Sequence, residues 1–312
     1  MSLHLIVNRQ ARYLRNDGAY LEALRKAALG FVVHETRSLP DLDAVIRSIA
    51  KDSPRVVVLA GGDGAYMAGV TALTRTFPQG APAIALAPGG TVSTVARNLG
   101  FEGSMSAYAD RLLRAIASGA AARTSHATLL VTDDCGGHRV GFIWGAGLVA
   151  RFFEAYYAQP HAGYGGAARI VARIFVGSPF GGKLAKRVLT PVPCTLTLDG
   201  EEQPARGYSL IASSVVKDLG LHMRLLYRAG EDPERVHVVA SPLDAPRLGP
   251  QMPLVLVGKR LRGRGHVDVL AKTATLRFAE DDAYVLDGEV LRAREVVVRP
   301  GPRLDVMTIN AK

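Results

Sequence analysis

Cysteine is nearly missing from this 312-residue chain, which has only Cys135 and Cys194. Two thiols cannot make a disulfide framework, and no His/Cys spacing supplies a zinc site. Both read as small apolar fillers in a reducing compartment. Aromatic residues are scarce as well, at 6%. With no zinc finger and no RNP-like motif, that argues against nucleic acid as a partner. Acids are outnumbered, 28 Asp and Glu against 38 Lys and Arg, for a net charge of +10. Such a surface favours a nucleotide or an anionic membrane face, or is simply solvated and biased toward arginine. Long apolar runs are absent too. The longest, Val140 to Ala150, contains glycines and stops at Arg151, short of the roughly 18 residues that span a bilayer. The opening Met1-Ser2-Leu3-His4 has no basic stretch followed by an apolar block. A cytoplasmic protein with peripheral membrane contact is expected.

Several catalytic signatures fail on inspection. Gly62-Asp63-Gly64-Ala65-Tyr66-Met67 breaks the dinucleotide fingerprint at its last position. Gly177 to Lys183 approaches a P-loop, but Leu184 stands where Ser or Thr should hold magnesium, so a flexible connector is the better reading. No Gly-x-Ser-x-Gly elbow and no His-Glu-x-x-His pair occurs.

What is present is a parallel α/β pattern. Leu3 to Val7 reads as a strand ended by Asn8, Tyr20 to Leu29 as a helix, and Phe31 to His34 as a strand. Leu42, Val45, Ile46 and Ile49 keep helical spacing after a capping box at Ser38 and Asp41. The apolar run from Val56 ends in Gly61-Gly62-Asp63-Gly64, and Ala65 to Leu73 is helical. Ala83 to Ala87 is a strand, Pro88-Gly89-Gly90-Thr91 a turn, and Val92 to Asn98 a helix. Glycines at strand ends let backbone N–H groups approach an anion, and two such turns on one parallel sheet predict a shared phosphate site. From about Ser125 short strands dominate, with one at Leu254 to Val257. Asp-Gly hairpin signals stand at 199–200 and 287–288. Helical stretches interrupt near Ala146 to Ala158 and Ala167 to Val176. With more residues than one core usually holds, two domains are expected: an α/β domain over 1–125 with 293–312 returning to it, and a β-rich domain over 126–292.

Three segments carry a family resemblance. Gly61-Gly62-Asp63-Gly64, then Pro88 through Thr91-Val92-Ser93-Thr94-Val95-Ala96-Arg97-Asn98-Leu99-Gly100, then Leu286-Asp287-Gly288-Glu289 resemble the motifs of the diacylglycerol kinase and sphingosine kinase family of lipid kinases. The resemblance implies an NAD kinase-like three-layer α/β nucleotide domain followed by a β-sandwich domain. It also implies transfer of the γ-phosphoryl of ATP, with Mg2+, to the hydroxyl of diacylglycerol, a ceramide or a sphingoid base. An NAD kinase-like enzyme acting on a soluble substrate and a non-catalytic lipid-binding homologue are the alternatives.

Residue by residue, the resemblance implies an ATP site at Asn8, Thr36, Gly61, Gly62, Asp63, Gly64 and Thr91. It offers two general bases, Glu289 and Asp63, and we favour Glu289, with Asp63 organising magnesium. Asp232, with neighbouring Glu231, is the expected metal-supporting acid, and Asp218 the fallback. Asp199-Gly200-Glu201 has the letters of the late motif and reads as a plain hairpin tip. Phe152, Phe153, Tyr156 and Tyr157 would line an acyl path or dip into the bilayer, with Arg151, Arg169, Arg173, Lys183, Lys186 and Arg187 facing anionic headgroups. The lipid would enter between the domains. A homodimer is admitted but not specified. Ala65, Met67, Ala68, Ser93 and Arg9 depart from the family pattern, and each departure predicts a weaker polar contact near the nucleotide.

Overall fold

The computed structural model describes residues 2–16, 18–158 and 163–309. They form two units. One runs through His126 and resumes at Pro302; the other spans Ala127–Gly301.

The first unit begins β1 (Leu3–Asn8), α1 (Ala19–Ala27), β2 (Val32–Thr36), α2 (Leu39–Ile49), β3 (Val56–Gly61), α3 (Asp63–Thr76), β4 (Ala83–Pro88), α4 (Thr94–Asn98), α5 (Met105–Ser118) and β5 (Ala122–His126). Its sheet has the order β2-β1-β3-β4, then the C-terminal strand Leu304–Thr308, then β5. The first four strands are parallel, and β3 and β4 are buried at every position, as near-continuous apolar runs should be when helices cover both faces. α1 packs on α5 and α2 on α3, the opposite-face arrangement that right-handed crossovers dictate. This is a three-layer α/β arrangement.

The capping box is present, with Asp41 N donating to the Ser38 hydroxyl at 3.2 Å. Helix α5 has no counterpart in the periodicity reading above. Its ends were nonetheless written in the sequence, as Ser104 at the N-cap and Gly119 in the left-handed conformation after its last turn.

The second unit continues with β6 (Leu129–Asp133), β7 (His138–Gly141), β8 (Ile143–Gly147), α6 (Leu148–Tyr157), α7 (Tyr164–Gly177), α8 (Lys183–Leu189), β9 (Val192–Leu198), β10 (Glu201–Glu202), β11 (Gly207–Tyr208), β12 (Leu210–Ser214), β13 (Val236–Ser241), α9 (Ala245–Leu248), α10 (Met252–Leu256), β14 (Val267–Ala271), β15 (Ala274–Leu286) and β16 (Glu289–Pro300). Its strands form one antiparallel network in the order β14-β13-β12-β8-β15-β16-β6-β7, with β9 branching from β15. β15 pairs β9 through Phe278 and β8 from Tyr284, with a register shift between Arg277 and Asp282 at the handover. Helices α6, α7 and α8 pack together over β12 and β13, burying Ile170, Ile174, Val188 and Leu189.

Two expectations are corrected. Leu254 to Val257 is not a strand: α10 runs through Leu256 and Val257 caps it, because Pro253 occupies the first helical turn, where its fixed φ suits a helix. The return to the first sheet starts at Pro302 rather than at residue 293, because β16 keeps 289–300 in the second sheet. Residues 310–312 of that tail lie outside the described residues.

Candidate active site

In the first sheet the carboxyl ends of four parallel strands fall in one row. Asn8 pairs with Thr36, Val7 with Ala60, and Gly61 with Pro88. The chain reverses its winding between β1 and β3, the place where open α/β sheets bind ligands. Asn8 and Gly61 meet there: a Cβ on Gly61 would lie 3.5 Å from the Asn8 Cβ.

The two glycine turns touch backbone to backbone. Gly89 N donates to Gly61 O at 2.6 Å. A Cβ on Gly90 would stand 2.6 Å from the Gly62 Cα, and one on Gly62 would stand 3.2 Å from the Gly90 Cα. No side chain fits between them, and this close approach is what both glycines serve. Helix α3 starts here. Its first ladder bond is from Tyr66 N to Gly62 O, so the amides of Asp63, Gly64 and Ala65 precede the ladder and point outward, as an anion site requires.

Asp63 joins the two turns. Its carboxylate accepts from Thr94 N at 2.9 Å and Val95 N at 3.0 Å, capping the start of α4. Helix α4 begins two residues later than the sequence pattern suggested, after Ser93, which is buried with φ +52°. Left-handed backbone favours asparagine over serine. Thr91 is therefore not the helix cap. It sits half-exposed in the turn itself, and its hydroxyl makes no hydrogen bond among the described residues. Thr36 shares the strand-end row but is buried, with its hydroxyl directed at the Val7 carbonyl.

Arg9, read above only as a departure, does local work that the sequence did not show. Buried, it donates to the carbonyls of Leu14 and Arg15 and to Glu35 at 2.6 Å. Those bonds shape the loop after β1. Tyr13 N then reaches Gly89 O at 3.1 Å, and Leu14 lies directly under Gly89. Tyr66 and Tyr20 add hydroxyl bonds to the carbonyls of Ala87 and Pro88, so the second turn is fastened from three sides.

Burial pushes the Asp63 carboxyl up to about 6, against the two amide bonds, which lower it. A carboxyl whose native pKa exceeds its unfolded value lends its stabilisation fully below the unfolded pKa and loses it as pH rises through the native one. Stability is therefore expected to fall between about pH 4 and 6, by on the order of 2 kcal/mol from this group. Urea denaturation of the wild type and Asp63→Asn across that range checks it: the variant should lack the slope, and parallel curves would refute the assignment.

In the second unit, Asp287-Gly288 forms the two-residue turn between β15 and β16, with φ +47° and +88°. The Asp287 carboxylate is buried and accepts from Phe142 N and Ile143 N, the latter at 2.8 Å. Tyr157 donates to Gly288 O at 2.7 Å, and Phe153 packs on the same glycine. Glu289 opens β16 beside this turn. Glu289 is exposed and its side chain makes no hydrogen bond among the described residues, while partial desolvation by the surrounding protein pushes its pKa up. Asp199-Gly200-Glu201 makes the same turn, with φ +49° and +91° and the Asp199 carboxylate holding the amides of Lys272 and Thr273. The two motifs thus share geometry; the aromatic cover from α6 separates them.

Phe152 and Tyr156 turn into the helical core, and Phe153 packs against Ala150, Ala283 and Val285. Of the four α6 aromatics, Tyr157 alone is exposed. The expectation that all four line a path or dip into a bilayer therefore reduces to the Tyr157 end.

Glu231 and Asp232 do not fit a metal site. Glu231 is paired with Arg228 at 2.8 Å, which holds its carboxyl below the usual range. Asp232 accepts from Glu234 N and faces Arg235. The fallback Asp218 caps its own turn at Gly220 N. Among the described residues no group of three or more His, Cys, Asp or Glu side chains gathers to hold an ion. Among them, too, no helix is long and apolar enough to cross a membrane.

Residues 2–124 match the family model described as "Diacylglycerol kinase catalytic domain". No curated protein matches the chain. Among solved structures, one described as "a diacylglycerol kinases from Bacillus anthracis str. Sterne" is 15% identical, with a TM-score of 0.62, 98% of this chain and 96% of that chain being covered. A "putative diacylglycerol kinase" from the same organism gives a TM-score of 0.68 at 15% identity, with the same coverage. A second one gives 0.66 at 17%, with 99% of each chain covered. At these identities the likeness establishes the fold.

Proposed function

We propose that this chain, whose residues 2–124 match the family model described as "Diacylglycerol kinase catalytic domain", is an ATP-dependent lipid kinase. The observation that carries the reading is the backbone contact between Gly62 and Gly90, latched by Asp63. Two closely apposed turns, the amides at the start of α3 and the half-exposed Thr91 beside them support a cradle for a string of phosphates. Asn8, Gly61, Gly62, Gly64 and Thr91 would contact the nucleotide. Thr36 would support that row from below, and Asp63 would hold the cradle's shape.

The proposed acceptor is a lipid hydroxyl, which must lose a proton as its oxygen bonds to the γ-phosphorus and the bond from that phosphorus to the β,γ-bridging oxygen breaks, releasing ADP. Glu289 is the proposed base: it forms no ion pair among the described residues, and a carboxylate raised in pKa accepts a proton more readily than an ordinary one. A divalent ion would arrive with the nucleotide phosphates, whose charge it neutralises. No residue of this chain is assigned to hold it.

Incubation with labelled ATP and separate vesicles of diacylglycerol, ceramide and sphingoid base, with NAD as a soluble control, tests the reading. A labelled lipid is the expected result. A folded, ATP-binding protein that labels none of the lipids would refute it, and labelling of NAD alone would move the chain to a soluble substrate.

A further inference from the structure

Between Glu154 and Asp199 the chain has no acidic residue, while Arg169, Arg173, Lys183, Lys186 and Arg187 all fall in that stretch. In a protein with 28 acids, such a gap concentrates positive charge in one place. The structure shows where. Helix α7 buries Ala167, Ile170 and Ile174 on one side and leaves Arg169, Arg173 and Val176 exposed on the other, at helical spacing. Helix α8 buries Ala185, Val188 and Leu189 and exposes Lys183, Lys186 and Arg187.

The turn joining them is the glycine run that failed as a P-loop. Gly182 N donates to Gly177 O at 2.9 Å, closing the loop. Ser178 anchors it: fully buried, it donates to Phe175 O at 2.7 Å and fills the space beside Gly249. With its base pinned, the loop holds Phe180 outward at 87% exposure, and Val176 stands 71% exposed one turn earlier. The Lys186 ammonium folds back over Gly181, beside the phenylalanine.

We propose that the α7–α8 turn is a membrane-docking tip that inserts Phe180, with Val176, into the interfacial layer of an anionic bilayer while the five flanking cations engage lipid headgroups. Solvent-facing Phe and Val have no stabilising role in water, and their burial in the acyl boundary recovers apolar contact. An acid-free cationic rim around a protruding apolar point matches an anionic lipid surface in charge and form, while a groove for a protein partner would need walls that the turn lacks. The tip accords with the lipid-kinase reading without resting on it, because docking is measured in the absence of nucleotide.

The test is flotation of the full chain with phosphatidylcholine vesicles, with and without phosphatidylglycerol, across a salt series. Binding should require phosphatidylglycerol and weaken with salt. Phe180→Ala should bind about tenfold more weakly. Lys183→Gln combined with Lys186→Gln should lose about five-fold per cation. Both variants change exposed side chains, and thermal melts establish that they fold. In Phe180→Trp the added emission should shift to the blue and be quenched by brominated lipid. Equal binding to neutral vesicles, full affinity in Phe180→Ala, no vesicle binding at all, or a preference for RNA over vesicles would each overturn the proposal. Docking without phosphorylation of any lipid would count against the enzymatic reading and leave the tip standing.

Discussion

Glu289→Gln is expected to slow lipid phosphorylation by about 10²–10⁴-fold, the usual cost of losing a general base. ATP affinity and thermal midpoint should stay at wild-type values. The amide matches the carboxylate in size, and the side chain makes no hydrogen bond among the described residues that the change would break. The pH profile sharpens the test. A base works ionised, and partial desolvation raises this carboxyl, so the acid limb of kcat should lie above the ordinary glutamate range and vanish in the variant. Glu201→Gln is the matched control, since its motif and turn are the same and its turnover should not change. Undiminished activity in Glu289→Gln would shift the role to Asp63.

Gly90→Ala should abolish useful nucleotide binding. The new methyl carbon would stand 2.6 Å from the Gly62 Cα and 3.4 Å from its nitrogen. Both obstacles are main chain, fixed by the Gly89–Gly61 hydrogen bond and by the end of β3. A side chain could swing aside; these atoms can yield only by opening the two turns. Overpacking of this kind costs about 1–3 kcal/mol of stability. Loss of a shared phosphate grip should cost at least 30-fold in ATP affinity, since a single hydrogen bond to a charged group is worth about 2 kcal/mol. Gly165→Ala, with open space around it in α7, should bind ATP normally and gain slightly in stability. Calorimetric titration of the three proteins settles the point, and normal ATP affinity in Gly90→Ala would dissociate the turn contact from the nucleotide.

The sheet ends were legible because a buried parallel strand leaves a plain signature. Val56 to Ala60 and Ala83 to Ala87 admit few other readings once glycines follow each. The hairpins at Asp199-Gly200 and Asp287-Gly288 were legible for a related reason, since few dipeptides accept two consecutive positive φ angles. Other features depended on partners remote in the chain. Whether Asp63 faces an ion or caps a distant helix turns on where residues 94 and 95 are carried, and nothing within ten residues of Asp63 indicates that. Arg9 likewise takes its meaning from Glu35 and from the carbonyls of the following loop. The Leu254 run misled because four apolar residues fit either periodicity, and the helix rests on Pro253 and the turn before it. The α6 aromatics show the converse: their spacing announced a helix face, but core packing decided that only Tyr157 would meet solvent.

The strand Leu304–Thr308 lies between β4 and β5, parallel to the first and antiparallel to the second. During synthesis the first sheet therefore keeps a gap until residues 304–308 have emerged. Until then β4, apolar at every position but its terminal proline, keeps an unpaired edge. A ribosome-bound or prematurely terminated chain would present that edge to any neighbouring strand. Deleting residues 304–308 should thus do more harm to solubility than deleting a surface loop of the same size.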